Sequence, residues 1–366
     1  MSQSNATMNE TQFDVFAKVA RYDHEQILIC QDNNTGLKAI IAIHNTVLGP
    51  GLGGTRMWNY ATEAEAINDA LRLSRGMTYK AAISGLNLGG AKAVIIGDPK
   101  KHKSEHLMRK FGRFVENLNG KYITAEDVGT TTKDMEYIKM ETDYVVGLPE
   151  IMGGGGDPSP VTAYGVYMGI KASAKKAYGS DNLSGKKIAV QGTGKVGLHL
   201  IEMLQKDGAV IFAADIFESG LKVASEKYSA TIVKTDEIFG LDVDIFAPCA
   251  LGAILNTDNI NKLKCQIIAG AANNQLEDDN IHGDMIKAKG IFYAPDFLIN
   301  AGGLINVYSE HNGYVREIAF SQTENIYNTV LDIYKTATEH DINTQLAAIK
   351  LAEKRISDTM WLQSTI

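Results

Sequence analysis

The chain has 366 residues, enough for about two domains that each bury their own core. Its 36 basic and 43 acidic residues give a formal net charge of −7 without a long basic run, which argues against nucleic acid or an anionic membrane as partner. The spacing of Cys30, Cys249 and Cys265 argues against a metal centre or a disulfide framework, and the polar segment Met1–Gln12 lacks the features of a signal peptide, so we expect a cytoplasmic protein without membrane spans.

Two glycine-rich blocks flank a predicted helix in the first half of the chain. Apolar residues recur at three- and four-residue steps over Glu63–Lys80, which predicts an amphipathic helix that leads to Lys80. The blocks Gly49–Arg56 and Leu88–Lys92 are interpreted as glycine turns that let the backbone approach a small ligand. The apolar run after Lys92 predicts a strand, so the turn before it could bring the two lysines together. A lysine crowded by a second ammonium and partly desolvated has a lowered pKa and can act as a base.

The middle of the chain carries a candidate acid and a linker. A short predicted strand, Lys121–Thr124, precedes Asp127, and strand ends are where open α/β sheets usually hold their reactive groups. The glycine run Gly153–Gly156 is expected to serve as a linker. The pair Ser159–Pro160 supplies an N-cap and a first-turn proline for a helix predicted over Val161–Tyr178.

Strands and helices alternate in the second half of the chain. This alternation predicts a parallel sheet with helices on both faces. The predicted strands are Lys187–Gln191, Ala209–Asp215, Asp244–Ala247, Gln266–Ala269 and Ile291–Ala294. The tail from about Arg316 to Met360 is predicted to be helical and could pack back on the first domain.

A Gly-x-Gly-x-x-Gly segment follows the first of these strands and opens a helix. Asp215 lies 23 residues after the first glycine, at the end of the next predicted strand, which completes the context of a dinucleotide-binding turn. The helix N-terminus would face the pyrophosphate, and the Asp215 carboxylate would bind the adenosine ribose and repel a 2′-phosphate. No arginine lies near Asp215, so NAD is favoured over NADP. The residues predicted to bind the cofactor here are Gly192, Thr193, Gly194, Lys195, Val196, Gly197 and Asp215.

Six blocks that occur in order along the chain resemble the Glu/Leu/Phe/Val dehydrogenase family, from about Gly49 to about Val307. The blocks are Gly49–Met57, Arg75–Lys80, Gly89–Lys92, Thr124–Gly129, Gly156–Pro160 and Asn300–Gly303. The chain departs from the family pattern at Ala91, where a third glycine is expected, and at Lys195. The resemblance implies NAD-dependent, reversible oxidative deamination of an L-amino acid to its 2-oxo acid, ammonia and NADH.

The resemblance also implies a two-domain α/β architecture. Residues 1–150 would form an α/β substrate-binding and oligomerisation domain, joined by a C-terminal helix at about 340–366. Residues 151–339 would form a Rossmann NAD-binding domain, with the active site in the cleft between the two. The resemblance implies a homo-oligomer, often an octamer.

The reaction needs groups that hold a carboxylate, move a proton and activate water, and the resemblance assigns them. Lys80 would bind the substrate carboxylate, and Lys92 would serve as general acid and base for water and the carbinolamine. Asp127 would carry the proton to and from the substrate nitrogen, although the choice between Asp127 and Glu126 rests on the family block alone. Further expected contacts come from the backbone of Gly53 and Gly54 to the substrate carboxylate, from Thr162 to the nicotinamide, and from Asn273 and Asn274 to the ribose or the substrate.

Substrate choice depends on the position of Leu52. Glutamate-specific members of the family carry a lysine there, and burying a second carboxylate against leucine would cost several kcal/mol. Leu52, Ala125, Leu304 and Val307 would form an apolar pocket, which favours leucine and other branched-chain substrates. A phenylalanine dehydrogenase is the nearest alternative. A catalytically inactive NAD-binding regulator would be expected to lose one of the reactive residues, and this chain keeps them.

Overall fold

The computed structural model describes residues 14–310 and 313–364, and its first domain is built on a five-stranded sheet. The segment Met1–Gln12 lies outside the described residues. The elements of this domain are α1 (Val15–Tyr22), β1 (Gln26–Asp32), β2 (Leu37–Asn45), β3 (Gly51–Trp58), α2 (Glu63–Ile83), β4 (Gly89–Ile96), α3 (Glu105–Glu116), β5 (Tyr122–Glu126) and α4 (Thr132–Lys139).

The strand order of the first sheet is β1-β2-β4-β3-β5. β1, β2 and β4 pair antiparallel, whereas β4, β3 and β5 pair parallel. Helix α2 begins after Thr62, whose side chain accepts a hydrogen bond from the Glu65 N–H, and it buries Ala66, Ala70 and Thr78 along one side. The predicted amphipathic helix is confirmed and continues past Lys80 to Ile83.

The interpretation of the glycine blocks as turns was wrong for most of their residues. The four residues from Gly51 belong to β3, and Gly89 and Gly90 belong to β4. A Cβ atom on Gly90 would collide with the backbone nitrogen of Thr78, so glycine is needed where α2 packs closely on the sheet. The turn between helix and strand lies at residues 84–88, where Gly85 has φ +76°.

The second domain is built on a six-stranded sheet. Its strands are β6 (Lys187–Gln191), β7 (Val210–Ala214), β8 (Thr231–Ile232), β9 (Ile245–Pro248), β10 (Ile267–Ile268) and β11 (Phe292–Tyr293). The helices of the remaining described chain are α5 (Ser159–Tyr178), α6 (Lys195–Lys206), α7 (Glu218–Tyr228), α8 (Thr257–Lys262), α9 (Asp279–Ala288), α10 (Asp296–Ile299), α11 (Gly302–Glu310), α12 (Arg316–Glu324), α13 (Ile326–His340) and α14 (Thr344–Ser364), with single 3₁₀ turns at Glu150–Met152 and Ile238–Gly240.

All strands of the second sheet run parallel, in the order β11-β10-β9-β6-β7-β8. This is the doubly wound arrangement of a dinucleotide-binding domain, and the strand order reverses between β6 and β9. The predicted parallel α/β sheet is confirmed. The exposed two-residue strand β8 was missed because it has no buried apolar run.

The N-cap of helix α5 lies one residue earlier in the chain than predicted. Pro158, rather than Ser159, occupies the N-cap position. The Asp157 side chain accepts a hydrogen bond from the Ser159 N–H at 3.0 Å, so an aspartate satisfies this backbone donor at the start of the helix.

The predicted helical tail is confirmed, and its last helix, α14, returns to the first domain. Arg355 of α14 donates to the carbonyl oxygens of Ala82 (3.0 Å), Gly85 (3.2 Å) and Leu86 (2.7 Å). These carbonyls lie at and just beyond the C-terminus of α2, where backbone acceptors lack helical partners. Arg355 therefore caps the helix that carries Lys80. Within residues 14–310 and 313–364, none of the helices has the length and apolar character needed to cross a bilayer.

We predict that Arg355→Lys destabilises the protein. Lysine keeps the charge but cannot reproduce the planar fork that serves several acceptors at once, so some carbonyls would lose a charge-assisted hydrogen bond worth about 1.5–3 kcal/mol. Thermal and urea unfolding would measure the loss. Lys354→Gln is the matched control, because Lys354 forms only an exposed pair with Asp358 on the same helix. Equal unfolding midpoints for Arg355→Lys and the control would contradict the capping role.

Candidate active site

A buried lysine and a carboxylate meet across the middle of the parallel part of the first sheet. Lys92 lies on β4 and is 6% exposed, and Asp127 follows β5 directly. Strand β3 lies between them, and the Nζ of Lys92 is 2.8 Å from Oδ2 of Asp127. A Cβ on Gly54 would lie only 2.9 Å from Cβ of Asp127. Glycine at this position of β3 therefore leaves room for the Asp127 side chain beside Lys92.

Arg56 completes this cluster and was not predicted as a site residue. Its Nε lies 3.1 Å from the same Oδ2 of Asp127, and its second ion pair goes to Asp69 at 2.9 Å. Arg56 follows Gly54 by two residues on β3, so the alternation of side chains along the strand could have indicated it. Glu126 is exposed and binds the Thr132 hydroxyl, so the structure brings Asp127, not Glu126, to Lys92.

Burial and neighbouring charges set the protonation of this cluster. Burial lowers the pKa of Lys92, and the Asp127 carboxylate opposes this shift without cancelling it. Burial alone would raise the pKa of Asp127, but Lys92 and Arg56 outweigh it and hold that pKa below its ordinary value. A lowered pKa was expected from a second ammonium together with partial desolvation, and for Lys92 burial is the larger of the two causes, with Arg56 as the neighbouring cation. The cluster thus holds a carboxylate beside a lysine that gives up its proton more readily than usual.

Lys80, on the last turn of α2, contacts the second domain. Its Nζ donates to Oδ1 of Asn300 at 2.7 Å, and Nδ2 of Asn300 donates to Oδ1 of Asn273 at 2.8 Å. Burial lowers the pKa of Lys80 to about 8, with Asp296 opposing the shift and Lys92 adding to it. The electrostatic coupling between the two lysines fits a site that gathers positive charge for an anionic ligand. Asn300 and Asp296 were not predicted individually.

The two asparagines after β10 differ in their surroundings. Asn273 joins the Asn300–Lys80 cluster, whereas Asn274 turns the chain with φ +50° and accepts a hydrogen bond from the Ala253 N–H through its carbonyl at 2.7 Å. Asn274 is therefore placed as a turn residue, with an exposed side chain.

The predicted pocket residues belong to one apolar cluster that spans both domains. Leu52 on β3 and Ala125 on β5 are buried, as is Leu304 on α11, and Val307 packs against the same cluster while half-buried. Gly53 and Gly54 continue β3 beside Leu52: β3 pairs with β4 at residues 51–52 and again at residues 55–58. The glycine backbone thus lies on the same strand as Leu52, next to the strand that carries Ala125.

The Gly-x-Gly-x-x-Gly turn connects β6 to α6 and fits a dinucleotide. Gly192 has φ +106°, and a Cβ on Gly197 would collide with the carbonyl of Gly192, whereas a Cβ on Gly194 would face open space. The open side of the turn thus lies at the N-terminus of α6, where backbone N–H groups lack helical partners and can bind phosphate. Val196 is half-buried on the first turn of this helix.

Polar partners surround the turn. Asp215, directly after β7, accepts hydrogen bonds from the backbone and hydroxyl of Thr193. Lys195 forms an exposed ion pair of 2.9 Å with Asp157 of the connecting segment. The Thr162 hydroxyl donates to the Pro158 carbonyl at 3.0 Å.

Comparison with known proteins identifies the same two regions. Residues 24–144 match the Glu/Leu/Phe/Val dehydrogenase dimerisation domain, and residues 153–216 and 214–363 match the Glutamate/Leucine/Phenylalanine/Valine dehydrogenase domain. The chain is 54% identical to leucine dehydrogenase of Bacillus cereus, covering 96% of each chain, and 49% identical to phenylalanine dehydrogenase of Lysinibacillus sphaericus, covering 94% of this chain and 91% of that one. The crystal structure of L-tryptophan dehydrogenase from Nostoc punctiforme superposes with a TM-score of 0.86 at 48% identity, over 94% of this chain and 99% of that one.

We predict that Gly54→Ala destabilises the protein and disturbs the site. Its methyl group would fall 2.5 Å from the Glu126 carbonyl and 2.9 Å from Asp127 Cβ, and such overpacking costs about 1–3 kcal/mol. The midpoint of urea unfolding would report the loss. Gly76→Ala is the matched control, because a Cβ at this α2 position meets no atom within 4 Å and alanine should stabilise the helix by about 0.5–1 kcal/mol. A stable Gly54→Ala variant would show that β3 has room for a side chain between Lys92 and Asp127.

Proposed function

The chain belongs to the Glu/Leu/Phe/Val dehydrogenase family, and we propose that it catalyses the NAD-dependent, reversible oxidative deamination of L-leucine and other branched-chain L-amino acids. In this reaction the amino acid, NAD⁺ and water give the 2-oxo acid, ammonium, NADH and a proton. The observation that carries the proposal is the gathering of Lys80, Lys92 and Asp127 at the contact between the two domains, with the pKa of both lysines lowered.

Each residue of this cluster has a chemical role in the proposal. Lys80 binds the substrate carboxylate as an ammonium, and its contact with Asn300 directs it towards the domain contact. Asp127 exchanges a proton with the substrate nitrogen. Lys92 removes a proton from the water that attacks the imine, and returns it when the carbinolamine collapses to the 2-oxo acid and ammonia. The nicotinamide, when bound, accepts the hydride from the substrate Cα.

The apolar cluster supports an aliphatic substrate side chain. Leu52 is 3% exposed and Ala125 is 8% exposed, so a carboxylate placed against them would be desolvated without a partner. An aliphatic side chain fits this surface without that cost. One methylene group changes binding in such a pocket by only about 1–3 kcal/mol, so leucine, isoleucine and valine should all be substrates.

Charge around the cofactor turn supports NAD. Asp215 would place its carboxylate beside the adenosine ribose, where it can accept hydrogen bonds from hydroxyl groups. The sequence contains no arginine between Arg113 and Arg316, a span that includes the whole second sheet. A 2′-phosphate would therefore meet a carboxylate without the guanidinium that usually compensates it.

The remaining proposals concern architecture and assembly. Residues 1–150 together with the helix at about 340–366 would form the substrate-binding and oligomerisation domain, and residues 151–339 the NAD-binding domain. The match to a dimerisation domain supports a homo-oligomer, and we propose an assembly up to an octamer, working in the cytoplasm. The presence of Lys80, Lys92 and Asp127 in one cluster argues against a catalytically inactive NAD-binding regulator.

A panel of L-amino acids tests the function. With NAD⁺, leucine, isoleucine and valine should produce NADH, with kcat/KM clearly above that for phenylalanine, tryptophan and glutamate, because the side chains proposed to form the pocket are aliphatic. Formation of NADH is followed by absorbance. A higher kcat/KM for phenylalanine would make the chain a phenylalanine dehydrogenase, and no turnover with any amino acid would reject the proposal.

The Lys92→Ala variant is the control that assigns this activity to the cluster. Loss of a general acid and base should lower kcat by about 10²–10⁴-fold. NAD binding should change little, because the dinucleotide turn lies on the second domain. A variant that keeps more than about a tenth of the wild-type kcat would remove Lys92 from this role.

We predict a strong preference of the wild type for NAD over NADP, and a smaller preference in Asp215→Ser. The substitution removes the like charge that would face a 2′-phosphate, so the NAD/NADP ratio of kcat/KM should fall. Both cofactors are compared at saturating leucine in both proteins. Asp236→Ser, which removes an exposed carboxylate elsewhere on the same domain, should leave the ratio unchanged. An unchanged NAD/NADP ratio in Asp215→Ser would show that Asp215 does not determine cofactor choice and that its role is structural, as the acceptor of hydrogen bonds from Thr193.

A further inference from the structure

Asp296 is a buried carboxylate next to the cluster of Lys80 and the asparagines. It is 5% exposed and begins the one-turn helix α10, whose C-cap residue is Asn300. Its Oδ2 accepts a hydrogen bond from the Gln275 backbone N–H at 3.3 Å, and its Oδ1 accepts one from the Tyr293 hydroxyl at 3.2 Å. Asp296 therefore ties α10 to the loop after β10.

The two segments that Asp296 joins also carry the two asparagines near Lys80: Asn300 follows α10, and Asn273 lies in the loop after β10. The side-chain amide of Gln275 donates to the carbonyl oxygens of Gly270 (2.7 Å) and Ala272 (3.0 Å), which shapes the loop around Asn273. Asn300 follows one turn after Asp296 and donates its own backbone N–H to the Asp296 carbonyl at 3.0 Å. The Asp296–Gln275 contact thus fixes the position of the Asn300–Asn273 pair.

Asp296 also supplies charge. Among the charged groups that act on Lys80, Asp296 has the largest effect, and it favours the ammonium form; Asp127 does the same more weakly, and Lys92 opposes both. The groups that face Asp296 itself are Gln275, Lys80, Asp279 and Tyr293, of which Lys80 is the cation. Burying a carboxylate costs free energy unless a cation and hydrogen bonds compensate it.

We propose that Asp296 is a positioning residue for the substrate carboxylate, which holds Asn300 and Asn273 in place through its hydrogen bond with the Gln275 backbone and adds a negative charge to the surroundings of Lys80. It acts through Lys80 and the asparagines rather than on the substrate. The inference rests on the proposed function, because it takes Lys80 to be the group that binds the carboxylate.

Binding of 4-methylpentanoate tests this role. This compound is the leucine skeleton without its ammonium group, and its carboxylate stays ionised from about pH 6.5 to about pH 9.5, so the pH dependence of its dissociation constant reports the enzyme. Calorimetric titration of the full-length enzyme saturated with NADH measures that constant. In the wild type it should rise about tenfold per pH unit above the pKa of Lys80, which is about 8.

The Asp296→Asn variant keeps the size and an acceptor oxygen but removes the charge. The pH above which the dissociation constant of 4-methylpentanoate begins to rise should be lower in this variant by about one pH unit. The variant should therefore bind 4-methylpentanoate about tenfold more weakly than the wild type near pH 9, and about equally near pH 6.5. Asp296→Ser is a second charge-free variant, should the asparagine variant fail to fold. NADH affinity should stay at the wild-type value in both.

Asp279→Asn is the matched control. It removes an exposed carboxylate of the same region, one that raises the pKa of Asp296 and is not among the groups that act on Lys80, so its profile should overlay that of the wild type. An Asp296→Asn profile that overlays the wild type, or one that is weaker by the same factor at every pH, would overturn the electrostatic role. Failure of the wild type both to bind 4-methylpentanoate and to oxidise leucine would instead reject the proposed function itself.

Discussion

The buried contact between Lys92 and Asp127 is the interaction on which the rest of the site depends. Taking two charges out of water is costly, and removing one partner of a buried pair leaves a charge that destabilises the fold by about 3–5 kcal/mol. The two side chains come from the strands on either side of β3, and a Cβ on Gly54 would crowd the Asp127 side chain. Arg56 then adds a second cation to the carboxylate. Glycine at position 54 therefore leaves room for one partner of the ion pair, whereas Gly51 and Gly53 allow β3 to pack closely on β4.

The fold was predictable where local pattern and tertiary structure agree. The helical periodicity before Lys80 corresponds to the side of α2 that packs on the sheet, and the glycine turn after β6 appears in the context that its motif requires. The glycines of β3 and β4 were misread because glycine serves two purposes, turning a chain and allowing close packing, and a sequence alone does not separate them. In this structure, the glycines that lie among strand residues in β3 and β4 allow close packing and do not turn the chain.

The site was predictable only in part, for a related reason. Lys92 and Asp127 lie within recognisable motifs, but the partners that set their environment are distant in sequence. The contact of Lys80 with Asn300 joins residues 220 positions apart, and it forms because α10, which Asn300 follows, packs near the end of α2. A pattern within one segment carries no information on such pairs. Arg56 is the one partner of Asp127 that a local pattern could have indicated, because it lies on β3 within the glycine-rich block Gly49–Met57.

The side chains proposed to form the substrate pocket come from both domains. Leu52 and Ala125 come from the first sheet, whereas Leu304 lies on α11, whose last residue, Glu310, accepts hydrogen bonds from the backbone N–H groups of Gly147 and Gly155, both at 2.8 Å. One carboxylate thus holds the connecting segment to the helix that supplies part of the pocket. Because glycine N–H groups are the donors, the contact depends on backbone position rather than on side-chain packing. The position of α11, and with it that of Leu304, is therefore coupled to the position of the connecting segment.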